Sequence, residues 1–201
     1  MISTFYGAKL RIKNEKMPCC SKFFTFHSSV FASFSYLCPK YQQYMEHLEL
    51  KSLIKVCQTD ELSAEENHLL ELAIEATGRS YSPYSHFSVG AAVRLENGVE
   101  LSGSNQENAA YPSGLCAERT ALFYAGSQYP DVPVKMLAIA ARGTDGELTE
   151  EPTGPCGACR QVILESQTRA GAPMKILLYG RKHVYVMEGI ETLLPLCFSE
   201  F

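Results

Sequence analysis

Hydrophobic positions after residue 62 recur with a helical period in some segments and form short apolar runs in others, which predicts helices alternating with strands. The first helix is predicted over residues 64–77, because a capping box precedes it, hydrophobic residues recur at helical spacing within it and a glycine follows it. In chain order these signals are Ser63 and Glu66, then Leu69, Leu70, Ala73 and Ala76, and finally Gly78.

The rest of the chain continues this alternation. Asn97 and Gly98 are a strong hairpin signal between two apolar runs, and Gly126 is predicted to end the second helix. The predicted strands cover about 89–93, 99–101, 134–141, 174–179 and 184–186, and the other two helices cover about 116–126 and 156–166. Strands alternating with crossover helices favour an α/β fold, which we expect to be a three-layer α/β/α sandwich with a mixed sheet of about five strands.

The charge of the chain changes sign near residue 44. Residues 1–44 carry six lysines and arginines and one glutamate, whereas the remainder carries 12 basic and 21 acidic side chains. We therefore predict an N-terminal extension over residues 1–44, outside the core or disordered, and a catalytic domain over residues 45–201 that opens at Met45. Three interpretations of the extension stay open: non-native or upstream sequence, an organelle-targeting segment, and an accessory element.

Composition limits the classes of function. No run approaches the roughly 20 apolar residues that span a bilayer, so we expect no membrane partner. The segment after residue 44 has a net charge of −9 and no stripe of basic residues with interleaved aromatics, whereas phosphate contacts require a positive surface. We therefore expect a small-molecule partner and no nucleic acid.

Three of the eight cysteines have metal-ligand spacing. Cys116 opens the segment Cys-Ala-Glu-Arg, and Cys156 and Cys159 lie within Pro-Cys-Gly-Ala-Cys. Zinc binds thiolates, and a catalytic zinc site keeps one of its four positions for water, which three cysteines leave open. Both segments lie at predicted helix starts, where backbone N–H groups and the helix dipole stabilise thiolates. We predict one Zn2+ per subunit here, and a reducing, cytoplasmic location.

Two residues beside Cys116 are predicted to complete this site. Glu118 is the predicted catalytic acid and base, because the zinc-deaminase signature joins Cys or His, one residue and Glu to Pro-Cys-x-x-Cys. Three thiolates give the site a net negative charge, and Arg119 is predicted to offset it by donating to a ligand sulfur. A structural zinc site or buried thiols are the alternative. We exclude His86 as a fourth ligand, because water must occupy that position.

Two further motifs flank the cysteines: Tyr-Ser-His-Phe-Ser-Val-Gly-Ala at residues 84–91 and Asn-Gln-Glu-Asn-Ala-Ala-Tyr at residues 105–111. With the cysteine motifs, they resemble the cytidine deaminase family from about residue 63 to the end of the chain. The resemblance implies that Phe87 stacks on the pyrimidine and that Asn105 and Glu107 bind the sugar hydroxyls, roles that suit an amide and a carboxylate facing a diol. It also assigns three more residues to substrate binding, the last two across a subunit boundary: Ala117, Tyr111 and Phe198.

The resemblance implies a function in pyrimidine salvage. The reaction is hydrolytic deamination of cytidine and 2′-deoxycytidine by zinc-bound hydroxide, with Glu118 as the proton shuttle, in a homotetramer with shared active sites. Three rivals stay open. A polynucleotide deaminase is disfavoured by the acidic charge and by Cys116, where such enzymes usually have histidine. A deaminase of another small nucleoside is the second rival. The third is a non-catalytic zinc-binding module, which requires a closed metal site.

Overall fold

The structure is a computed structural model that describes residues 11–14 and 46–199. The chain divides into two units, Met1–Lys51 and Ser52–Phe201. The predicted start of the catalytic domain at Met45 and most of the predicted extension lie outside the described residues. That boundary therefore remains a prediction.

The first unit contains two short strands. β1 (Arg11–Asn14) pairs antiparallel with β2 (Glu46–Glu49), so that Ile12 lies opposite Leu48. All the residues of the predicted active site belong to the second unit.

The second unit is built on one six-stranded mixed sheet. Its strands are β3 (Lys55–Cys57), β4 (Ser88–Leu95), β5 (Glu100–Ser104), β6 (Val134–Arg142), β7 (Lys175–Tyr179) and β8 (Val184–Glu188). Their order is β3-β8-β7-β6-β4-β5, and among these pairs only β6 and β7 are parallel. The predicted mixed sheet is confirmed. The sequence does not predict β3, because it is three residues long and only Cys57 is buried.

Three α-helices cover the sheet: α1 (Ala64–Thr77), α2 (Ala117–Gln128) and α3 (Gly157–Ala170). α1 has the predicted bounds. The Glu66 backbone N–H donates to Ser63 Oγ at 3.2 Å, and the Ser63 backbone N–H donates to the Glu66 carboxylate at 2.8 Å. The predicted capping box is therefore confirmed.

The other two helices end later than predicted. Gly126 does not end α2, which continues to Gln128. A glycine inside a helix costs only about 1 kcal/mol relative to alanine, which tertiary packing readily offsets. α3 continues to Ala170 and ends at Gly171, whose φ of +65° is the left-handed conformation that closes helices.

Alternate residues of the central strands point to opposite faces of the sheet. Leu137 and Ile139 of β6 pack against α2 and α3, whereas Met136 and Ala138 pack against α1 and its buried Leu69. The predicted three-layer α/β/α sandwich is therefore confirmed. In the described part of the chain, no helix has both the length and the apolarity needed to cross a membrane.

The parallel pair of strands determines where two helices begin. α2 leads into β6, α3 leads into β7, and both helices pack on the same face of the sheet. Because β6 and β7 run in the same direction, the helices that precede them also run side by side, with their N-termini at the same edge. Positions 116 and 156 thereby become neighbours, although 40 residues separate them in sequence.

Candidate active site and metal centre

The three predicted metal ligands lie where α2 and α3 begin. Cys116 is the N-cap residue of α2, Cys156 is the N-cap residue of α3, and Cys159 lies in the first turn of α3. Neither N-cap side chain makes a capping hydrogen bond. The backbone N–H groups and the positive ends of both helix dipoles therefore lie beside sulfur atoms, which favours thiolates.

The sulfur atoms are separated as one zinc ion requires. Cys116 Sγ lies 3.8 Å from Cys156 Sγ, Cys156 Sγ lies 3.4 Å from Cys159 Sγ, and all three lie within 4.8 Å of one another. A tetrahedral zinc with Zn–S bonds of about 2.3 Å holds its sulfur ligands about 3.8 Å apart, so these residues fit the metal. Within residues 46–199 this is the only such group of three or more candidate ligands, and His86 is not part of it.

The thiols differ in their affinity for a proton. A hydrogen bond from Cys159, supported by the Arg119 guanidinium, lowers the pKa of the Cys116 thiol to about 5. The same hydrogen bond to Cys116, together with burial, raises the pKa of the Cys159 thiol. Of these two residues, Cys116 is therefore the better able to carry the negative charge of a metal-binding thiolate.

Glu118 is buried beside this cluster. It lies in the first turn of α2, and only 4% of its surface is exposed. Burial raises the pKa of the Glu118 carboxyl above its ordinary value, and the negative charge on Cys116 raises it further. A carboxyl group that binds a proton more readily than usual is suited to general acid and base catalysis near neutral pH.

Arg119 lies between the metal cluster and the segment that precedes it. Its Nη2 is 3.9 Å from Cys116 Sγ and 3.4 Å from the Gly114 carbonyl oxygen. The buried Nε atom has no hydrogen-bond partner among the described residues. The guanidinium is thus within reach of the ligand sulfur whose charge it is expected to offset.

Asn105 contacts the segment that carries Phe87. The Asn105 amide donates from Nδ2 to the Phe87 carbonyl oxygen at 2.9 Å, and its Oδ1 accepts from the Val89 backbone N–H at 2.7 Å. These two bonds hold the backbone on both sides of residue 88, as a strand partner would. Asn105 thereby holds the backbone of the half-buried Phe87.

Glu107 holds the loop that precedes Phe87. Its Oε2 accepts from the backbone N–H groups of Tyr84 at 2.9 Å and Ser85 at 3.3 Å. Hydrogen bonds from the Ser85 side chain and the Tyr84 backbone lower the pKa of the Glu107 carboxyl, which therefore stays ionised at neutral pH. The residue between Asn105 and Glu107 joins this region to the cysteines.

Gln106 makes that connection through its backbone. Its N–H donates to the Leu115 carbonyl at 2.8 Å, and its carbonyl accepts from the Leu115 N–H at 2.9 Å. Because Leu115 directly precedes Cys116, the predicted sugar-binding residues lie one backbone bridge away from a predicted metal ligand. The structure therefore joins the segments that carry the two predicted clusters through one backbone bridge.

The remaining predicted substrate residues differ in their placement. Ala117 is buried as the first residue of α2. Tyr111 is 72% exposed, and its ring centre lies 6.0 Å from that of Tyr84. Phe198 accepts a hydrogen bond at its carbonyl from Gln161 Nε2 at 2.8 Å and lines a cavity of about 460 Å³ between α2 and α3. The three cysteines do not line that cavity.

Sequence reasoning missed two residues that support the site. Ser80 donates to Asn105 Oδ1 at 2.6 Å, and no periodic pattern singles out this serine. Arg160 donates to the carbonyl oxygens of Pro155 at 2.9 Å and Leu193 at 2.7 Å, and so it fixes the segment before Cys156. The position of Arg160 directly after Cys159 is a signal that could have identified it.

A three-layer sandwich with three cysteines at two helix starts, next to a buried glutamate, is the arrangement of the zinc-dependent deaminase class. Residues 63–172 match the family described as the cytidine and deoxycytidylate deaminase zinc-binding region. The chain therefore belongs to the cytidine and deoxycytidylate deaminase family.

Individual relatives agree with this assignment. The chain is 41% identical over 126 residues to a cytidine deaminase from Sporosarcina psychrophila. The matched region covers 63% of this chain and 85% of that protein. It is 44% identical over 97 residues to a cytidine deaminase from Halalkalibacterium halodurans, and this matched region covers 48% of this chain and 68% of that protein. A crystal structure of the cytidine deaminase from Burkholderia pseudomallei superposes with a TM-score of 0.58 at 35% identity, covering 68% of this chain and all of that one.

Proposed function

We propose that the protein is a zinc-dependent cytidine deaminase that removes the amino group from C4 of cytidine and 2′-deoxycytidine. Water adds at C4, ammonia leaves, and the products are uridine and 2′-deoxyuridine. The observation that carries this proposal is the buried Glu118, whose pKa is raised, beside three thiols with zinc-ligand spacing. The relatives named cytidine deaminase support a pyrimidine nucleoside as the substrate.

In the proposed mechanism Glu118 moves the protons. When zinc is bound by Cys116, Cys156 and Cys159, it supplies a Lewis acid that lowers the pKa of a coordinated water. The Glu118 carboxylate takes a proton as water attacks C4 and passes it to N3 of the ring. Glu118 then takes the remaining proton from the new C4 hydroxyl and delivers it to the amino group, so that the C4 carbonyl forms as the C4–N bond breaks and ammonia leaves. Arg119 offsets the negative charge of the thiolates from its position near Cys116.

The sugar is proposed to lie against Asn105 and Glu107. Glu107 is ionised and can accept from a hydroxyl, whereas one N–H of the Asn105 amide can donate to one. A carboxylate at this place repels a phosphate group, which favours a nucleoside over a nucleotide such as deoxycytidylate. The Phe87 ring is proposed to stack on the pyrimidine, held in place by the hydrogen bond from Asn105.

Ammonia release tests the reaction. We expect the zinc-loaded chain to convert cytidine and 2′-deoxycytidine, and to act poorly on deoxycytidylate and on single-stranded DNA. Glu118→Gln should lower kcat by about 1,000-fold while zinc content stays unchanged, because it removes the proton carrier but no ligand. Cys116→Ala should lose zinc as well. Glu96→Gln, at an exposed position in the hairpin turn between β4 and β5, is the matched control and should keep full activity.

Two outcomes would refute the proposed function. Substantial turnover by Glu118→Gln would remove the glutamate from the mechanism. A higher kcat/KM for deoxycytidylate than for either nucleoside would show that the preferred substrate is the nucleotide.

Assembly and location form part of the same proposal. Tyr111 and Phe198 are 72% and 68% exposed, as expected of side chains that contribute to a neighbouring subunit's site in a homotetramer. Sedimentation velocity measures the mass of the assembly, and a monomer would contradict this part. The cysteines of the described part are unpaired, which supports the cytoplasm, where pyrimidine salvage would use the enzyme.

A further inference from the structure

The Asn105 side chain is held by three hydrogen bonds. Its Oδ1 accepts from the Val89 N–H at 2.7 Å and from Ser80 Oγ at 2.6 Å, and its Nδ2 donates to the Phe87 carbonyl at 2.9 Å. An amide nitrogen has two hydrogens. One N–H of Asn105 therefore has no partner among the described residues, and it is the group that can bind a ligand.

Ser80 is the hydroxyl next to this amide in a series of three serine hydroxyls. A hydroxyl has one proton, and because an amide oxygen can only accept, the Ser80 proton lies on the 2.6 Å contact to Asn105. Ser80 Oγ also lies 3.2 Å from Ser82 Oγ, which lies 3.2 Å from Ser88 Oγ. Hydrogen bonds in series polarise one another, so the pull on Oδ1 makes the remaining Asn105 N–H a stronger donor.

We propose that Ser80 is a positioning residue for sugar binding. Acting through Asn105, it orients and polarises the N–H that binds a sugar hydroxyl, without touching the substrate itself. Ser80 is half-buried and follows α1, so its hydroxyl reaches Asn105 across 25 residues of sequence. The inference rests on the proposed function, from which the contact between Asn105 and the sugar is taken.

A binding measurement tests this role separately from turnover. Calorimetry on the zinc-loaded Glu118→Gln chain compares cytidine with 2′,3′-dideoxycytidine, which lacks both secondary hydroxyls of the sugar. Adding Ser80→Ala should weaken cytidine binding about five-fold, a loss typical of one neutral hydrogen bond. Binding of dideoxycytidine should change by less than about two-fold, because the affected N–H has no hydroxyl to bind.

Further variants separate the hydroxyl from the bulk of the side chain. Ser80→Thr keeps a hydroxyl and should bind cytidine as the parent does, whereas Ser80→Cys keeps the size with a poor donor and should behave like Ser80→Ala. In the chain with Glu118 intact, Ser80→Ala should raise KM about five-fold and leave kcat and zinc content unchanged. Ser82→Ala, one hydroxyl further from Asn105, should have a smaller effect.

Equal losses for the two nucleosides, no loss for either, or a fall in zinc content would each overturn the role of Ser80. The proposed function fails by a different result. If the unaltered chain binds cytidine but releases no ammonia, deamination is wrong while the binding comparison stands.

Discussion

A close approach of α2 to the sheet gives a sharp prediction. A Cβ atom on Gly103 of β5 would lie 2.7 Å from the backbone nitrogen of Ala121 and 3.0 Å from the carbonyl oxygen of Ala117, both in α2. Ordinary contacts of a Cβ atom begin at 3.4 Å, so Gly103→Ala must move the helix or the strand by about 0.7 Å. Backbone atoms cannot turn aside as a side chain can.

Such overpacking costs about 1–3 kcal/mol of the free energy of unfolding, which corresponds to a melting temperature about 3–9 °C lower in a domain of this size. The displaced helix carries Cys116 and Glu118 at its N-terminus. A misplacement on the order of 1 Å can lower the rate about 100-fold, so we expect kcat to fall at least about ten-fold.

Gly126→Ala in the same helix is the matched control. The nearest atom to its added Cβ is Arg169 Nη1 at 3.6 Å, which belongs to a flexible side chain. This change should raise the melting temperature by about 2 °C, because alanine is the better helix former. Calorimetry and ammonia release measure both variants. If Gly103→Ala melts at or above the temperature of the parent, or if both variants lose stability equally, the close approach is wrong.

Two further predictions concern single contacts. Arg119→Gln removes the guanidinium beside Cys116 and should speed zinc release to a chelator about ten-fold. Arg119→Lys keeps the positive charge, so the difference between the two variants measures how much of the effect depends on the guanidinium geometry. An unchanged release rate in Arg119→Gln would contradict the role of Arg119 in offsetting the thiolate charge. Burial raises the pKa of Glu66, but hydrogen bonds from Ser63 and Lys175 outweigh this and lower it below 4.5. The stabilisation from ionised Glu66 is therefore complete above pH 4.5 and is lost as the pH falls through the folded-state pKa. Urea unfolding should show that Glu66→Gln lowers the free energy of unfolding by about 1 kcal/mol at pH 7 and by less in acid. A loss of stability that is independent of pH would refute the stabilising role of ionised Glu66.

Local signals account for the parts of the fold that were predicted correctly. The capping box of Ser63 and Glu66 involves residues three apart, and the hairpin at Gly98 needs only its own left-handed φ of +86°. Gly126 misled the prediction, because packing of α2 against the sheet and α3 decides where that helix ends. The strand β3 exists through its pairing with β8, which is distant in sequence.

The same distinction applies to the site. The spacing of Cys156 and Cys159 is a local signal, which becomes specific only with the proline before it and with Cys116 and Glu118. The contacts of Asn105 with Phe87 and Ser80 join segments 18 and 25 residues apart, and only the folded sheet brings them together. The motifs therefore show which residues take part, whereas the support that each residue receives has to be found in three dimensions.

The two uncapped helix N-termini have a consequence for attempts to raise the thermal stability of this protein. Serine, threonine or aspartate at an N-cap is worth about 1 kcal/mol, and Cys116 and Cys156 forgo that contribution at α2 and α3. In the metal-free chain, where no bound ion stabilises the fold, selection for heat resistance alone would favour replacing these cysteines. Such selection would enrich stable variants that lack the predicted metal site, because at these two positions helix capping and metal binding require different side chains.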